Sequence, residues 1–144
     1  MEKILISACL VGDKTKYDGH SNYNEKVKLL LEKYELVPFC PEVEGGLSIP
    51  RKPNEIRKDR VYRIDGKDVT KEFSIGASKA LKLCKYLHIS KAVLKENSPS
   101  CGTHQIHDGT FKDKKIPGMG VTSKLLKENG IEVYSEIDID KLIK

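Results

Sequence analysis

Four short apolar runs divide the chain, and longer segments with a different hydrophobic pattern separate them. The runs are rich in isoleucine, leucine and valine, and polar or glycine-containing sequence bounds them, which is typical of buried strands. They read KILISAC from residue 3, ELVPFC from residue 35, KAVLK from residue 91 and IEVYS from residue 131.

Between these runs, apolar residues recur at the spacing of a helix surface. Val27, Leu30 and Leu31 predict a helix between the first two strands. A longer helix over residues 71–89 follows Thr70, which is a suitable N-cap. Its apolar stripe consists of Phe73, Ala77, Ala80, Leu81, Cys84 and Leu87. Residues 121–130 predict a further helix, and residues 137–144 predict a short terminal one.

Strands that alternate with helices predict an α/β fold, because a helical crossover packs back onto a parallel sheet. At 144 residues the chain fits one domain, residues 1–144. We expect a doubly wound, Rossmann-like and mainly parallel sheet with strand order 2-1-3-4. A β-hairpin insertion is predicted at Asp65-Gly66, where alternating residues flank a turn dipeptide.

Three of the cysteines follow predicted strands. Cys9 ends the first strand, Cys40 ends the second, and Cys101 lies in the loop after the third. In open α/β sheets ligands bind at the carboxyl ends of the strands, so the predicted order brings these thiols together. Thiolates suit zinc or an iron–sulfur cluster. Alternatively, Cys9 and Cys40 are small buried hydrophobic residues, as we expect for Cys84 on its helical stripe.

Polar residues near these cysteines are candidates for chemistry. Glu42 follows Cys40 in a long Pro- and Gly-rich stretch, where it is either an acid or base or a solvated surface residue. Ser98 and Ser100 precede Cys101, and either hydroxyl contacts a ligand or stabilises the turn. His104 and His107 are candidate metal ligands, but a hairpin in QIHDGTF would direct them apart.

Composition and charge indicate the cellular compartment of the protein and the classes of partner it binds. No apolar run reaches the length of a membrane span, and the first residues lack the apolar region of a signal peptide. We therefore expect a cytoplasmic protein, in which cysteines serve metal or catalytic chemistry rather than disulfides. The net charge of +5 is spread along helical segments, which is typical of a solvated surface, and no nucleic-acid partner is expected.

Several longer motifs resemble those of the bacterial family that includes thiouracil desulfidase, the TudS-like family. They span residues 4 to about 135 in one order: SACLVG, KYDG, CPEVEGGLSIPR, LKENSPSCG, HDGTF and IPGMGVTSKLL. The resemblance implies a 4Fe-4S cluster held by Cys9, Cys40 and Cys101, with zinc as the alternative metal. It also implies catalytic roles for Glu42 and Ser98, to which we add Ser100. The implied substrate is a small thiolated heterocycle.

The activity implied by the resemblance is the removal of sulfur by non-redox hydrolysis, in which an open cluster iron accepts the sulfur. A second class of function is a non-catalytic zinc or iron–sulfur protein with a structural or sensory three-cysteine site. A fourth protein ligand such as His104 would favour that second class, because it closes the site. A third hypothesis keeps the desulfuration and takes thiolated RNA as the substrate.

Overall fold

The computed structural model describes residues 1–144, which form eight strands and five α-helices. The strands are β1 (Glu2–Ser7), β2 (Tyr34–Phe39), β3 (Asn54–Arg57), β4 (Arg60–Arg63), β5 (Lys91–Leu94), β6 (Gln105–His107), β7 (Lys115–Pro117) and β8 (Glu132–Ser135). The helices are α1 (Val27–Leu31), α2 (Pro41–Glu44), α3 (Thr70–Leu87), α4 (Val121–Glu128) and α5 (Ile139–Ile143). Two 3₁₀ turns, Ala8–Val11 and Glu136–Asp138, follow β1 and β8.

A four-stranded sheet in the order β2-β1-β5-β8 forms the centre of the molecule, and every neighbouring pair is parallel. These strands are the four apolar runs, so the predicted α/β fold with a mainly parallel sheet is confirmed. Ile4, Leu5 and Ile6 of β1 have no exposed surface, as expected for a parallel strand covered on both faces. Numbered along the whole chain, the order is 2-1-5-8 and differs from 2-1-3-4. The hairpin strands β3, β4, β6 and β7 lie between the sheet strands in the chain.

Helices cover both faces of the sheet. On one face α1 and α5 pack through a cluster that includes Ile4, Ile6, Val27, Leu30 and Leu142. On the other face α3 and α4 pack through a cluster that includes Leu5, Ala80, Cys84, Ala92 and Leu126. Cys84 is fully buried there, as predicted. None of the helices has the length and apolar character needed to cross a membrane.

Two antiparallel hairpins stand outside the sheet, β3–β4 and β6–β7. The first lies upstream of its predicted position, because its ladder pairs residues 54–57 with residues 60–63. At the predicted turn, Asp65-Gly66, an isolated antiparallel bridge joins Tyr62 to Asp68, and backbone hydrogen bonds join Arg63 to Lys67 and Val69 to Val61. The β3–β4 ladder was not predicted, because β3 follows directly on Pro53, in a stretch whose prolines favour an irregular loop.

Candidate active site

A cavity of about 530 Å³ lies beyond the carboxyl ends of β1, β2 and β5. Residues at the ends of these strands line it, among them Ser7, Phe39 and Lys95. Residues of the two hairpins, such as Glu55 and His107, complete the wall. The cavity therefore occupies the edge of the sheet where α/β proteins bind their ligands.

Cys9 enters this cavity from the 3₁₀ turn that follows β1. Its carbonyl accepts backbone hydrogen bonds from Gly12 and Asn22, at 3.3 and 3.0 Å, so the following loop folds back over the turn. Burial raises the pKa of the Cys9 thiol, and a hydrogen bond from the Asn22 side chain opposes this effect in part. Asn22 thus supplies a donor to a sulfur atom that needs one when it is deprotonated.

Cys40 directly follows β2 and is the N-cap residue of α2, with Pro41 at the first helical position. Burial raises the pKa of its thiol, while the backbone N–H groups of Val43 and Glu42 at the start of the helix lower it. The sulfur of Cys40 is therefore placed against backbone donors that stabilise a thiolate.

Two glycines fix the position of α2 against α3. A Cβ atom on Gly45 would overlap the backbone carbonyl of Glu72, and one on Gly76 would overlap the carbonyl of Pro41. The two helices therefore touch through their backbones, with no room for a side chain between them. Because α2 begins at Pro41, this contact determines where Cys40 and Glu42 stand.

Cys101 lies in the loop between β5 and β6 and is 5% exposed. The Ser98 hydroxyl accepts hydrogen bonds from the backbone N–H groups of Ser100 and Cys101, at 3.1 and 3.0 Å, which fixes the turn. Burial raises the pKa of the Cys101 thiol, and the hydrogen bond from Ser7 works in the opposite direction. The charges of Cys40, Glu42 and Cys9 raise it further, which shows that these groups share one space.

The N-terminus of α4 supports the same loop from the other side. The backbone N–H groups of Val121 and Thr122 donate to the carbonyls of Pro99 and Ser100, at 2.9 and 2.8 Å. A Cβ atom on Gly120 would overlap the Ser100 carbonyl, so only glycine allows this close approach. The first N–H groups of the helix are therefore used by the protein itself.

Glu42 and Ser98 meet in the cavity wall. The Ser98 hydroxyl donates to Glu42 Oε1 at 3.2 Å, and Arg51 donates to Oε2 from Nε at 3.0 Å and from Nη2 at 2.6 Å. The Arg51 and Glu42 side chains are 7% and 13% exposed. Arg51 also donates to the carbonyl of Thr15 at 3.0 Å, so the protein holds the carboxylate firmly in one orientation.

The predicted site residues fall into two groups. Five of them line the cavity together: Cys9, Cys40, Glu42, Ser98 and Cys101. Ser100 does not: it is fully buried, and its hydroxyl is hydrogen-bonded with that of Thr122 at 2.8 Å.

The two histidines diverge, as the predicted hairpin requires. His107 lines the cavity, with Nε2 at 3.4 Å from Asp113. His104 lies outside the cavity wall, and its Nε2 is 2.7 Å from Asp138 Oδ2. His104 is therefore not placed to be a fourth ligand beside the cysteines.

Sequence reasoning gave no role in the site to Arg51, Asn22 or Ser7, and considered Asn22 only as a helix N-cap. Arg51 stands in the same Pro-rich stretch as Glu42, but the sequence does not distinguish it from its basic neighbour Lys52 as the partner in the ion pair. Ser7 and Asn22 contact thiols across the fold, which no local pattern indicates.

The three thiols fit a cluster better than a single metal ion. No three side chains of His, Cys, Asp or Glu come close enough together to hold one ion. In a cubane cluster each cysteine binds a different iron, so the ligands stand apart around one space. Polar groups near each of the three sulfurs also act to lower the thiol pKa, which favours bound thiolates. The zinc alternative is therefore not favoured.

The cavity wall is rich in hydrogen-bond acceptors without partners. Five buried side-chain oxygens of the chain have no hydrogen-bond partner, and four belong to residues of this wall: Thr15, Asn54, Glu96 and Asn97. Buried polar atoms in proteins are nearly always paired. This concentration of acceptors is a chemical property of the cavity.

An α/β fold with three thiols, a buried carboxylate and a hydroxyl around one cavity is typical of a protein that binds a metal cluster at the edge of its sheet. The model of the 2-thiouracil desulfurase family matches residues 4–138, and the chain belongs to this family. The family resemblance of its motifs is thereby confirmed.

Two relatives match over nearly the whole chain. The uncharacterized protein YbbK of Bacillus subtilis (strain 168) is 40% identical over an alignment of 150 positions, which covers 97% of this chain and 99% of YbbK. The solved structure of the [4Fe-4S]-dependent thiouracil desulfidase TudS is 43% identical, with a TM-score of 0.94. That match covers 99% of this chain and 95% of the TudS chain.

Proposed function

We propose that this protein is a 4Fe-4S-dependent desulfidase, which removes sulfur from a thiolated nucleobase or a related thiocarbonyl compound by non-redox hydrolysis. The observation that carries this proposal is that three cysteines from separate segments line one cavity together with Glu42 and Ser98. Membership of the desulfurase family and the close similarity to TudS support the same reaction class.

Cys9, Cys40 and Cys101 would hold the cluster through three of its irons. When bound, the cluster supplies an iron with an open coordination position that polarises the C=S bond and takes the sulfur. The structure favours an open position, because His104 is engaged by Asp138 away from the cavity. The non-catalytic alternative is not favoured, since it gives no role to the buried Glu42 and Ser98.

Glu42 is the residue that we assign to proton transfer. Water supplies the oxygen that replaces sulfur at the thiocarbonyl carbon, and sulfur leaves as hydrosulfide. Glu42 takes one proton from the attacking water and delivers it to the departing sulfur as the C–S bond breaks, and the second proton of the water is released to solvent. Arg51 positions the carboxylate through Oε2, and Ser98 contacts the other oxygen. By fixing Oε1, the Ser98 hydroxyl orients the carboxylate toward the attacking water.

Ser100 has a different role from Ser98. Its hydroxyl is hydrogen-bonded with Thr122 in the interior, where it cannot contact a substrate in the cavity. We assign it to the structure of the turn that presents Cys101.

The proposed substrate class agrees with the polar wall and with the fold. A thiolated pyrimidine carries ring N–H groups beside its C=S bond, and the carboxamide oxygens of Asn54 and Asn97 are unpartnered acceptors. The site also lies where doubly wound, Rossmann-like sheets bind ligands, and we assign the fold to that class because helices cover both faces.

Anaerobic purification tests the proposal most directly. The wild-type protein is expected to contain about four iron and four sulfide ions per chain and to release sulfide from 2-thiouracil. Cys9→Ala is expected to lose both, because it removes one of the three ligands. Cys84→Ala is the matched control, since it removes the only cysteine outside the cavity. Wild-type protein without iron, or Cys9→Ala loaded like Cys84→Ala, would contradict the proposal.

The raised pKa values of the three thiols predict a pH-dependent assembly. Burial keeps Cys9, Cys40 and Cys101 protonated in the apo protein at neutral pH, and cluster binding must displace these protons. A higher pH increases the thiolate fraction. The rate of anaerobic reconstitution is therefore expected to rise by roughly tenfold or more between about pH 7 and pH 9. Visible absorbance of the cluster measures it, and a flat profile would show that the thiols are not protonated.

A further inference from the structure

We propose that Glu96 is a positioning residue, whose buried carboxylate holds the loop that presents Ser98 and Cys101 to the cavity. The part of this inference that concerns cluster binding rests on the proposed function. The part that concerns the loop can be tested in the apo protein.

One oxygen of Glu96 gathers backbone N–H groups from both ends of this loop. The residue is 5% exposed. Its Oε1 accepts hydrogen bonds from Asn97 at 3.3 Å, Thr103 at 2.8 Å, His104 at 2.8 Å and Gln105 at 3.1 Å. Because these donors precede and follow Cys101 in the chain, the carboxylate closes the loop around it.

Glu96 is itself anchored to the segment that follows β8. Its backbone N–H donates to Glu136 Oε1 at 2.8 Å, and Glu136 Oε2 pairs with Lys95 Nζ at 2.8 Å. Glu96 Oε2 lies 3.9 Å from His104 Nε2 and has no hydrogen-bond partner. The backbone of Glu96 is thus fixed from the sheet side, and the loop is fixed to its carboxylate.

The charge of Glu96 strengthens these bonds. Burial acts to raise the pKa of Glu96, but the backbone donors outweigh it and the pKa lies below the ordinary value of 4.5. The side chain is therefore ionised at neutral pH, and hydrogen bonds to a charged acceptor are roughly twice as strong as neutral ones. This contribution is complete above about pH 4.5 and is lost as the pH falls through the lowered pKa.

Glu55 provides a matched control, because it uses the same device on a different loop. It is 8% exposed and also lines the cavity. Its Oε1 accepts from the backbone N–H groups of Gly109 and Phe111, at 3.0 and 3.2 Å. That loop joins β6 to β7 and carries no cysteine. Removing either carboxylate should loosen its own loop, but only one of these loops holds a proposed ligand.

The experiment compares Glu96→Ala with Glu55→Ala. In the apo proteins, the rate of Cys101 alkylation by iodoacetamide is followed by mass spectrometry. We expect it to rise by about tenfold or more in Glu96→Ala and to stay within about twofold of wild type in Glu55→Ala. In the reconstituted proteins, iron retained after treatment with a chelator should fall at least about fivefold in Glu96→Ala only.

The melting temperatures of both variants separate positioning from general stability. If the two variants are destabilised to a similar extent but differ in the alkylation rate of Cys101, the effect of Glu96 on the loop is local. If Glu96→Ala does not fold, Glu96→Gln serves instead, because it removes the charge and keeps one acceptor oxygen. Cys101 reactivity and iron retention that match those of Glu55→Ala would overturn the inference. Wild-type protein that binds no iron would overturn the proposed function, while the alkylation rates still decide the role of Glu96 in the loop.

Discussion

Glu42→Gln retains its cluster and loses most of its turnover. We expect kcat to fall by about 10²- to 10⁴-fold, the range contributed by a side chain that transfers protons in a transition state. Glutamine has nearly the same shape, and its carbonyl oxygen still accepts hydrogen bonds from Arg51, which keeps its carbonyl partners at Thr15 and Ser48. The amide cannot carry a proton between water and the departing sulfur.

The Glu42 prediction is measured by anaerobic sulfide release from 2-thiouracil, with iron per chain determined on the same samples. Glu44→Gln is the control, because it makes the same change at an exposed position of the same short helix. Normal turnover in Glu42→Gln at full iron content would remove Glu42 from the mechanism. Loss of iron in this variant would assign it a structural role instead.

Gly76→Ala is expected to lower the free energy of unfolding by about 3 kcal/mol or more. In an exposed helix interior the same change would stabilise by about 1 kcal/mol, because alanine is the better helix former. Here the new methyl group would overlap the Pro41 carbonyl, and only a displacement of α2 can relieve the overlap. That displacement moves Cys40 and Glu42, so iron content should fall as well.

Urea unfolding of the apo protein measures the stability effect of Gly76→Ala without interference from the metal. Ser78→Ala is the control, since it lies on the exposed face of α3 and should change stability by less than about 0.5 kcal/mol. Equal stability of Gly76→Ala and Ser78→Ala would mean that α2 and α3 separate easily. The geometry of Cys40 would then not depend on this contact.

The predicted topology gave the correct strands of the sheet and the position of the cavity. The four apolar runs are the four strands of the sheet, and the rule that ligands bind at carboxyl ends correctly brought Cys9, Cys40 and Cys101 to one cavity. The stripe on α3 separated Cys84 from them for a clear reason, since a helical period directs that residue into the core. These inferences depend on periodicity and on the alternation of strands with helices, which sequence expresses directly.

The same reasoning could not predict which way side chains point within loops. Ser98 and Ser100 are equivalent as letters on either side of Pro99, yet one donates to Glu42 and the other is buried against Thr122. The direction follows from a turn that the start of α4 supports from a distant part of the chain. Glu96 was not identified from the sequence for a related reason. A carboxylate that binds backbone N–H groups has partners of any residue type, so it leaves no motif.

The sheet edge and the hairpins contribute different residues to the wall of the cavity. The proposed metal ligands belong to segments at the sheet edge, whereas Phe111 and Asp113 of the outer rim belong to the β6–β7 tip. Insertions or deletions at that tip can remodel what the mouth of the site admits without disturbing the inorganic centre. The architecture thereby allows substrate preference to evolve, or to be engineered, separately from sulfur chemistry.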